Sequence, residues 1–233
     1  NFFGVLFNNK QFTQELRLAT DLDGPINFIG GGFYESRKLY TLTSIVVPQI
    51  SFRLPTESTH QKQLSYSAFG QVLFDPTDQL QITVGGRYTH EVKKLLDYSV
   101  STFNTTTGAW NAPIDVTTQA TYPGAPNPKL SYNNFSPEVT AKFKASEDVM
   151  LFASYKRGFK SGGFDAGYTN AAILTAARQA QGQTFQPEKV SGGEVGLKSS
   201  FADRQVTVNL TGYWYDYKGL QVSVFDTIAR AFR

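Results

Sequence analysis

Cysteine is missing from all 233 residues, histidine occurs only twice, and 22 Lys and Arg against 19 Asp and Glu leave a net charge of just +3. Each shortage closes a class. Without cysteine there is neither a disulfide framework nor a Cys/His metal cluster. The cations are scattered among acids along the chain, without the concentrated basic patch of a nucleic-acid surface, so nucleic acid is not an expected partner. The longest unbroken apolar run, residues 149–153, is five residues long, against the roughly 20 that a membrane-spanning helix needs. Any membrane role must therefore come through strands. Catalytic candidates are equally few. His60 sits in a Thr/Gln-rich stretch and His90 at a strand end. Neither adjoins a nucleophile motif, and no Gly-x-Ser-x-Gly elbow, phosphate loop or dinucleotide fingerprint is present. No enzymatic activity and no cofactor are expected.

What the chain has in quantity is aromatic and two-residue alternation, with 19 Phe, 12 Tyr and 2 Trp. Leu80, Ile82, Val84 and Tyr88 fall on one side of a pleat, while Gln81, Thr83, Arg87 and Thr89 fall on the other. Val206, Val208, Leu210 and Trp214 repeat the pattern, as do Val139, Ala141 and Phe143. This period predicts strands with one apolar and one wet face. Weaker versions over 13–19, 26–37, 64–74, 149–160 and 190–200 bring the number to about eight. Helix is expected only as an alanine-rich turn or two over 170–181.

The connections alternate in size. Short ones at Asp21-Leu22-Asp23-Gly24, Asp75-Pro76-Thr77-Asp78, Ser146-Glu147-Asp148 and Phe201-Ala202-Asp203-Arg204 carry turn chemistry. Long ones are expected over 38–63, 97–133 and 161–187. An outer-membrane barrel places every tight turn at one end and every long loop at the other, whereas a soluble sandwich has no reason to. Ten residues at about 3.3 Å, tilted about 45°, rise roughly 23 Å, close to the lipid band. Aromatics also collect toward strand ends: Phe28, Phe74 and Phe143 on the short-turn side, and Tyr34, Tyr88, Phe135, Tyr155, Trp214 and Tyr217 on the long-loop side. They read as interfacial girdles. A soluble β-sandwich binding module, with these rings in its core, and a complete eight-stranded membrane barrel with a structural or adhesive role are the alternatives.

Several longer phrases then narrow the class. AFGQVLFDPTDQLQITVGGRYTHEVK (68–93) resembles a hairpin common in TonB-dependent outer-membrane receptors, in which a polar turn precedes a strand ending in Gly-x-Arg-Tyr. LFASYKRGFKSGGFDA (151–166) resembles that family's strand entering an outer loop, and FQPEKVSGGEVGLKSSF (185–201) is similar to its Pro-Glu-initiated strand. QELRLATDLDGPINFIGGGFY (14–34) and LTGYWYDYKGLQVSV (210–224) are similar to the same family, in its iron-complex receptor branch.

The resemblance implies the wall of a 22-stranded antiparallel transmembrane β-barrel with short periplasmic turns and long extracellular loops. Residues 1–233 are expected to be a partial barrel domain without the plug, and both ends are read as cuts within something longer. It further implies a Gram-negative outer-membrane location, contact with outer-membrane lipid, and uptake of an iron–siderophore or other large solute. Energy would come from the TonB complex acting through the missing plug.

On the polar face, Glu15, Arg17, Arg87, Glu138, Lys142, Glu194 and Lys198 are expected to line the lumen and to pair across strands. Cross-strand charge pairs contribute only a few tenths to about 1 kcal/mol, so their expected role is structural. Ligand contacts are expected from the long loops: Tyr98, Trp110, Tyr122 and Tyr132 in one, and Phe164, Tyr168 and Arg178 in another. Amphipathic rings suit shallow binding of a bulky solute. No metal site is expected.

Overall fold

The alternating segments form eight long strands in a computed structural model that describes residues 2–47, 52–53, 56–118, 120–122, 125–164, 184–222, 225–226 and 231–232. They are β1 (Phe2–Ala19), β2 (Ile26–Val47), β3 (Thr56–Thr77), β4 (Leu80–Ser101), β5 (Lys129–Ser146), β6 (Val149–Lys160), β7 (Glu188–Phe201) and β8 (Val206–Lys218). Each pairs antiparallel with its chain neighbour, giving one meander sheet. No helix occurs among the described residues, and the stretch 170–181 lies outside them.

Among the described residues β1 does not pair with β8, so these eight strands form an open wall and not a complete small barrel. They do not form a sandwich either. Among the described residues no second layer covers the face carrying Leu18, Val84, Val139, Val195 and Leu210; Leu18 is 72% exposed and Leu210 66%. The buried apolar cluster, Leu95, Tyr98, Val100 and Val116, lies entirely at the long-loop end. A single-layer sheet with one greasy face is unstable in water and stable only where that face meets hydrocarbon.

Register fixes which residues share that face. Ile26 pairs with Phe74, which pairs with Ile82, and Val72 pairs with Val84, which pairs with Val139 and through it with Tyr155. Toward the long loops, Tyr34 pairs with Tyr66, their rings 5.3 Å apart, and Tyr88 pairs with Phe135. On β5 the two aromatic levels, Phe135 and Phe143, are eight residues apart. That is about 26 Å along the strand, or about 19 Å of height at a 45° tilt. Tyr217 departs from the expected girdle. It pairs with Val190, three positions from the Gly193–Trp214 pair, so it projects to the polar face while Trp214 projects to the apolar one.

The long connections are shorter than the sequence suggests, because β2 continues to Val47 and β3 starts at Thr56. Thr and Ser alternate with Lys, Leu and Tyr there, and two polar faces satisfy a hairpin that stands clear of lipid. Likewise β4 runs to Ser101 and β5 starts at Lys129. The tight turns fall at the expected ends, although Asp75–Thr77 stay in β3 and the turn there is made by Asp78 and Gln79. That between β7 and β8 runs through Ala202, Asp203 and Arg204, all with positive φ of 51–67°.

Candidate functional site

Glu15, Arg17, Arg87, Glu138, Lys142, Glu194 and Lys198 all have the parity opposite to the apolar residues, so one face of the wall carries the whole set. Their partners differ from the expected cross-strand ion pairs. Among the described residues the one ion pair in the set, Arg17 Nη2 to Glu15 Oε1 at 2.7 Å, lies within β1. Register sets Lys156 opposite Glu138 without an ion pair between them, and elsewhere places small, amide, aromatic or thioether residues opposite the charges. The Arg87 guanidinium lies 5.1 Å from the Phe33 ring centre and 5.8 Å from that of Phe69, which Arg17 also approaches at 5.8 Å. Lys198 approaches Phe152 at 5.9 Å. Gln71 Nε2 donates to Glu138, Lys142 Nζ to Gln81 Oε1 at 3.2 Å, and the Tyr215 hydroxyl to Glu194 at 2.8 Å. Cations over rings contribute about 0.5–1 kcal/mol each at exposed sites and keep the guanidinium hydrogens free for other acceptors.

Phe69 reaches this position because Gly31 lies beneath it. A Cβ on Gly31 would stand 2.6 Å from the Phe69 ring and 2.3 Å from the Leu16 carbonyl oxygen. Gly31 therefore gives the Phe69 ring room against the wall. The result is a depression of about 400 Å³ lined by Glu15, Arg17, Phe69, Arg87, Glu138 and Lys156, which spans β1 to β6.

At the long-loop end, the same face is roofed. Glu91 and Lys93 of β4 form an ion pair at 3.3 Å. Lys93 Nζ donates to the Gly162 carbonyl at 2.7 Å, and Ser161 donates to Glu91. Gln221 Nε2 donates to the carbonyls of Ser161 and Gln186, each at 3.0 Å, joining the two roots of the connection between β6 and β7. Beside this knot, Arg37, Gln63, Lys93, Phe164 and Phe185 line a cavity of about 180 Å³. Sequence reading missed Arg37, Glu91, Lys93, Phe185 and Gln221. Strand parity from Arg87 marks Glu91 and Lys93 as polar-face residues; nothing in the sequence brings residues 161–164 or Gln221 to them.

The expected loop residues separate into groups. Tyr98 is 2% exposed and packs with Leu95, Val100 and Val116, with Tyr122 and Phe164 against that cluster. Its backbone amide donates to Thr117 Oγ1 at 2.9 Å, and its carbonyl accepts from Val116 at 2.8 Å. Tyr98 thus builds the loop. Hydrogen bonding from Thr117, first its side chain and then its backbone, lowers the Asp115 carboxyl pKa from its ordinary value. Trp110 is 40% exposed, edge-on to Phe103 at 5.4 Å, at the end of a small hairpin that turns over Asn104 and Gly108, the latter at φ +69°. Tyr132 is half-buried next to Gly162. Tyr168 and Arg178 lie outside the described residues. Among the described residues no three His, Cys, Asp or Glu side chains converge as a metal-binding group.

The same wall recurs in solved structures. The ferric yersiniabactin uptake receptor FyuA from Yersinia pestis superposes with a TM-score of 0.70 at 17% identity, over 94% of this chain and 30% of that one. The copper transporter OprC gives 0.63 at 13% identity, over 90% and 30%. The siderophore receptor PiuA from Acinetobacter baumannii gives 0.58 at 15%, over 90% and 32%. This chain thus spans about a third of the length of each, and at these identities the likeness is one of fold. Residues 1–232 match the family described as TonB dependent receptor-like, beta-barrel. An open, antiparallel meander with a bare apolar face, a charged opposite face and tight turns alternating with long loops is a section of that barrel wall, and the chain belongs to the TonB-dependent receptor β-barrel family.

Proposed function

We propose that this chain is part of the wall of an outer-membrane receptor of a Gram-negative bacterium that takes up an iron–siderophore complex or a comparable large solute, energised by the TonB complex acting through a plug. The observation that carries this reading is the division of the sheet into a bare apolar face and a polar face that is roofed at the long-loop end. On this reading Arg17, Arg87 and Glu138 line the lumen and offer hydrogen-bonding groups to a plug. The mouth of the lumen is formed by Trp110, Tyr132 and Phe164, with Arg37 and Lys93 beneath them. Two cations beside three rings suit an anionic chelate with aromatic or extended groups. The role is transport and not catalysis.

The test uses the full-length receptor. Iron-starved cells that carry it should accumulate a radiolabelled ferric chelate, and accumulation should cease when TonB is deleted. Replacing Trp110 and Phe164 together with Ala should weaken chelate binding about tenfold, the loss of two contacts of about 0.5–1.5 kcal/mol each, with barrel assembly intact. TonB-independent accumulation would overturn the transport reading. Unchanged affinity in the double variant would remove the loop assignment.

A further inference from the structure

The cations that look scattered in the sequence are aligned by the fold. Lys10 pairs with Lys38, Lys38 with Lys62, Lys62 with Lys94, and Lys94 with Lys129, so five lysines stand directly opposite one another across β1 to β5. All five share the parity of the apolar face. Like charges directly opposite in a sheet repel, and none of the five has an ion-pair partner among the described residues. Four are exposed and Lys62 is half-buried between its neighbours.

The remaining strands continue the pattern. Arg157 of β6 lies two residues beyond Tyr155 on that face, and Lys189 of β7 pairs with Lys218 of β8. Each of the eight strands thus sets one cation outward toward the long-loop end. Among the described residues the acids that register places in the region are Asp97 opposite His60, Asp115 opposite Ser99, and Asp216, which lies 4.0 Å from Lys218. The short-turn end is the opposite: Asp21, Asp23, Asp78, Glu147, Asp148 and Asp203 gather there. From Lys10, two residues past Phe12, to Lys129, six past Phe135, the row stands about 7–20 Å along the strands beyond the rings. At a 45° tilt that is about 5–14 Å above the hydrocarbon edge.

We propose that this outward basic belt binds the phosphate groups of glycolipid in the leaflet on the long-loop side, each phosphate bridging neighbouring strands and cancelling the lysine–lysine repulsion. The charge polarity of the two ends selects that leaflet. The belt faces away from the lumen, so its ligand is the surrounding lipid and not the transported solute. The inference rests on the membrane-wall reading above.

The probe is bisphosphorylated lipid A added to purified full-length receptor in detergent, with retained lipid counted by native mass spectrometry. The variant with Lys10, Lys38, Lys62, Lys94 and Lys129 all replaced by Gln should retain at least tenfold less, since one lysine near an anionic surface contributes about fivefold. The corresponding Arg variant, and Lys144→Gln on the other face, should retain as much as wild type. Wild type should retain phosphate-free lipid A poorly, a comparison that needs no variant to fold, and millimolar inorganic phosphate should not displace the lipid. Equal retention by the Gln variant, equal retention of phosphate-free lipid, or displacement by inorganic phosphate overturns the belt. Wild-type insertion into phosphatidylcholine vesicles is measured in parallel. Failure to insert overturns the wall reading itself, whereas insertion without phosphate-dependent retention overturns the belt alone.

Discussion

Val84→Arg in the full-length receptor should lower the stability of the bilayer-inserted barrel by about 2–4 kcal/mol, while Thr83→Arg, one residue away, should cost less than about 1 kcal/mol. The difference follows from parity alone. Val84 pairs with Val72 and Val139 on the bare face, between the aromatic levels, where a guanidinium would have to be desolvated in hydrocarbon or distort the bilayer to reach water. Thr83 pairs with Leu73 and Thr140 on the face that carries the charges, where an extra arginine stays hydrated. Urea-dependent unfolding from lipid vesicles measures both. Equal costs at the two positions would mean that the two faces meet the same solvent.

Tyr98→Ala should act elsewhere. Among the described residues Tyr98 is the largest fully buried side chain, in a cluster that the loop residue Val116 completes. Removing a buried ring of this size costs about 3–5 kcal/mol, and Tyr98 is the strand residue on which Val116 and Tyr122 of the segment 102–128 pack. The loss should therefore appear as local opening. Limited proteolysis within 102–128 should accelerate on the order of 100-fold, while urea unfolding of the barrel stays at the wild-type midpoint. Unchanged cleavage would mean that the loop is held by something other than this cluster.

The wall itself was legible because its rule is local. An alternation such as Leu80, Ile82 and Val84 against Gln81 and Thr83 needs no knowledge of a neighbour, and tight turns such as Asp75–Asp78 carry their own chemistry. Strand ends beyond the membrane were less legible. Residues 38–47 and 56–63 are Thr, Lys, Gln and Tyr, which have the composition of a loop, and only pairing between two such stretches makes them a hairpin. Tyr217 shows the same limit: its distance along the strand suited a girdle, but its parity relative to Trp214 sends it to the other face. The polar-face charges were placed correctly by parity, whereas their partners depend on register. Arg87 beside Phe33 and Phe69, and Lys93 beneath Gly162, join residues 18 to 69 positions apart. The lysine row is the extreme case, five cations from five strands whose alignment exists only once each register is set.

The account turns on which solvent each face of the sheet meets. Because this stretch contains no cysteine, single cysteines introduced one at a time over residues 80–90 of the receptor in vesicles can each carry a spin label, and collisions with oxygen and with a water-soluble nickel chelate can be compared position by position. The account predicts a strict two-residue alternation, with oxygen dominating at positions 82, 84 and 88 and the nickel chelate at 81, 83 and 87. A flat profile, or one with the chelate dominating at 82, 84 and 88, would contradict it.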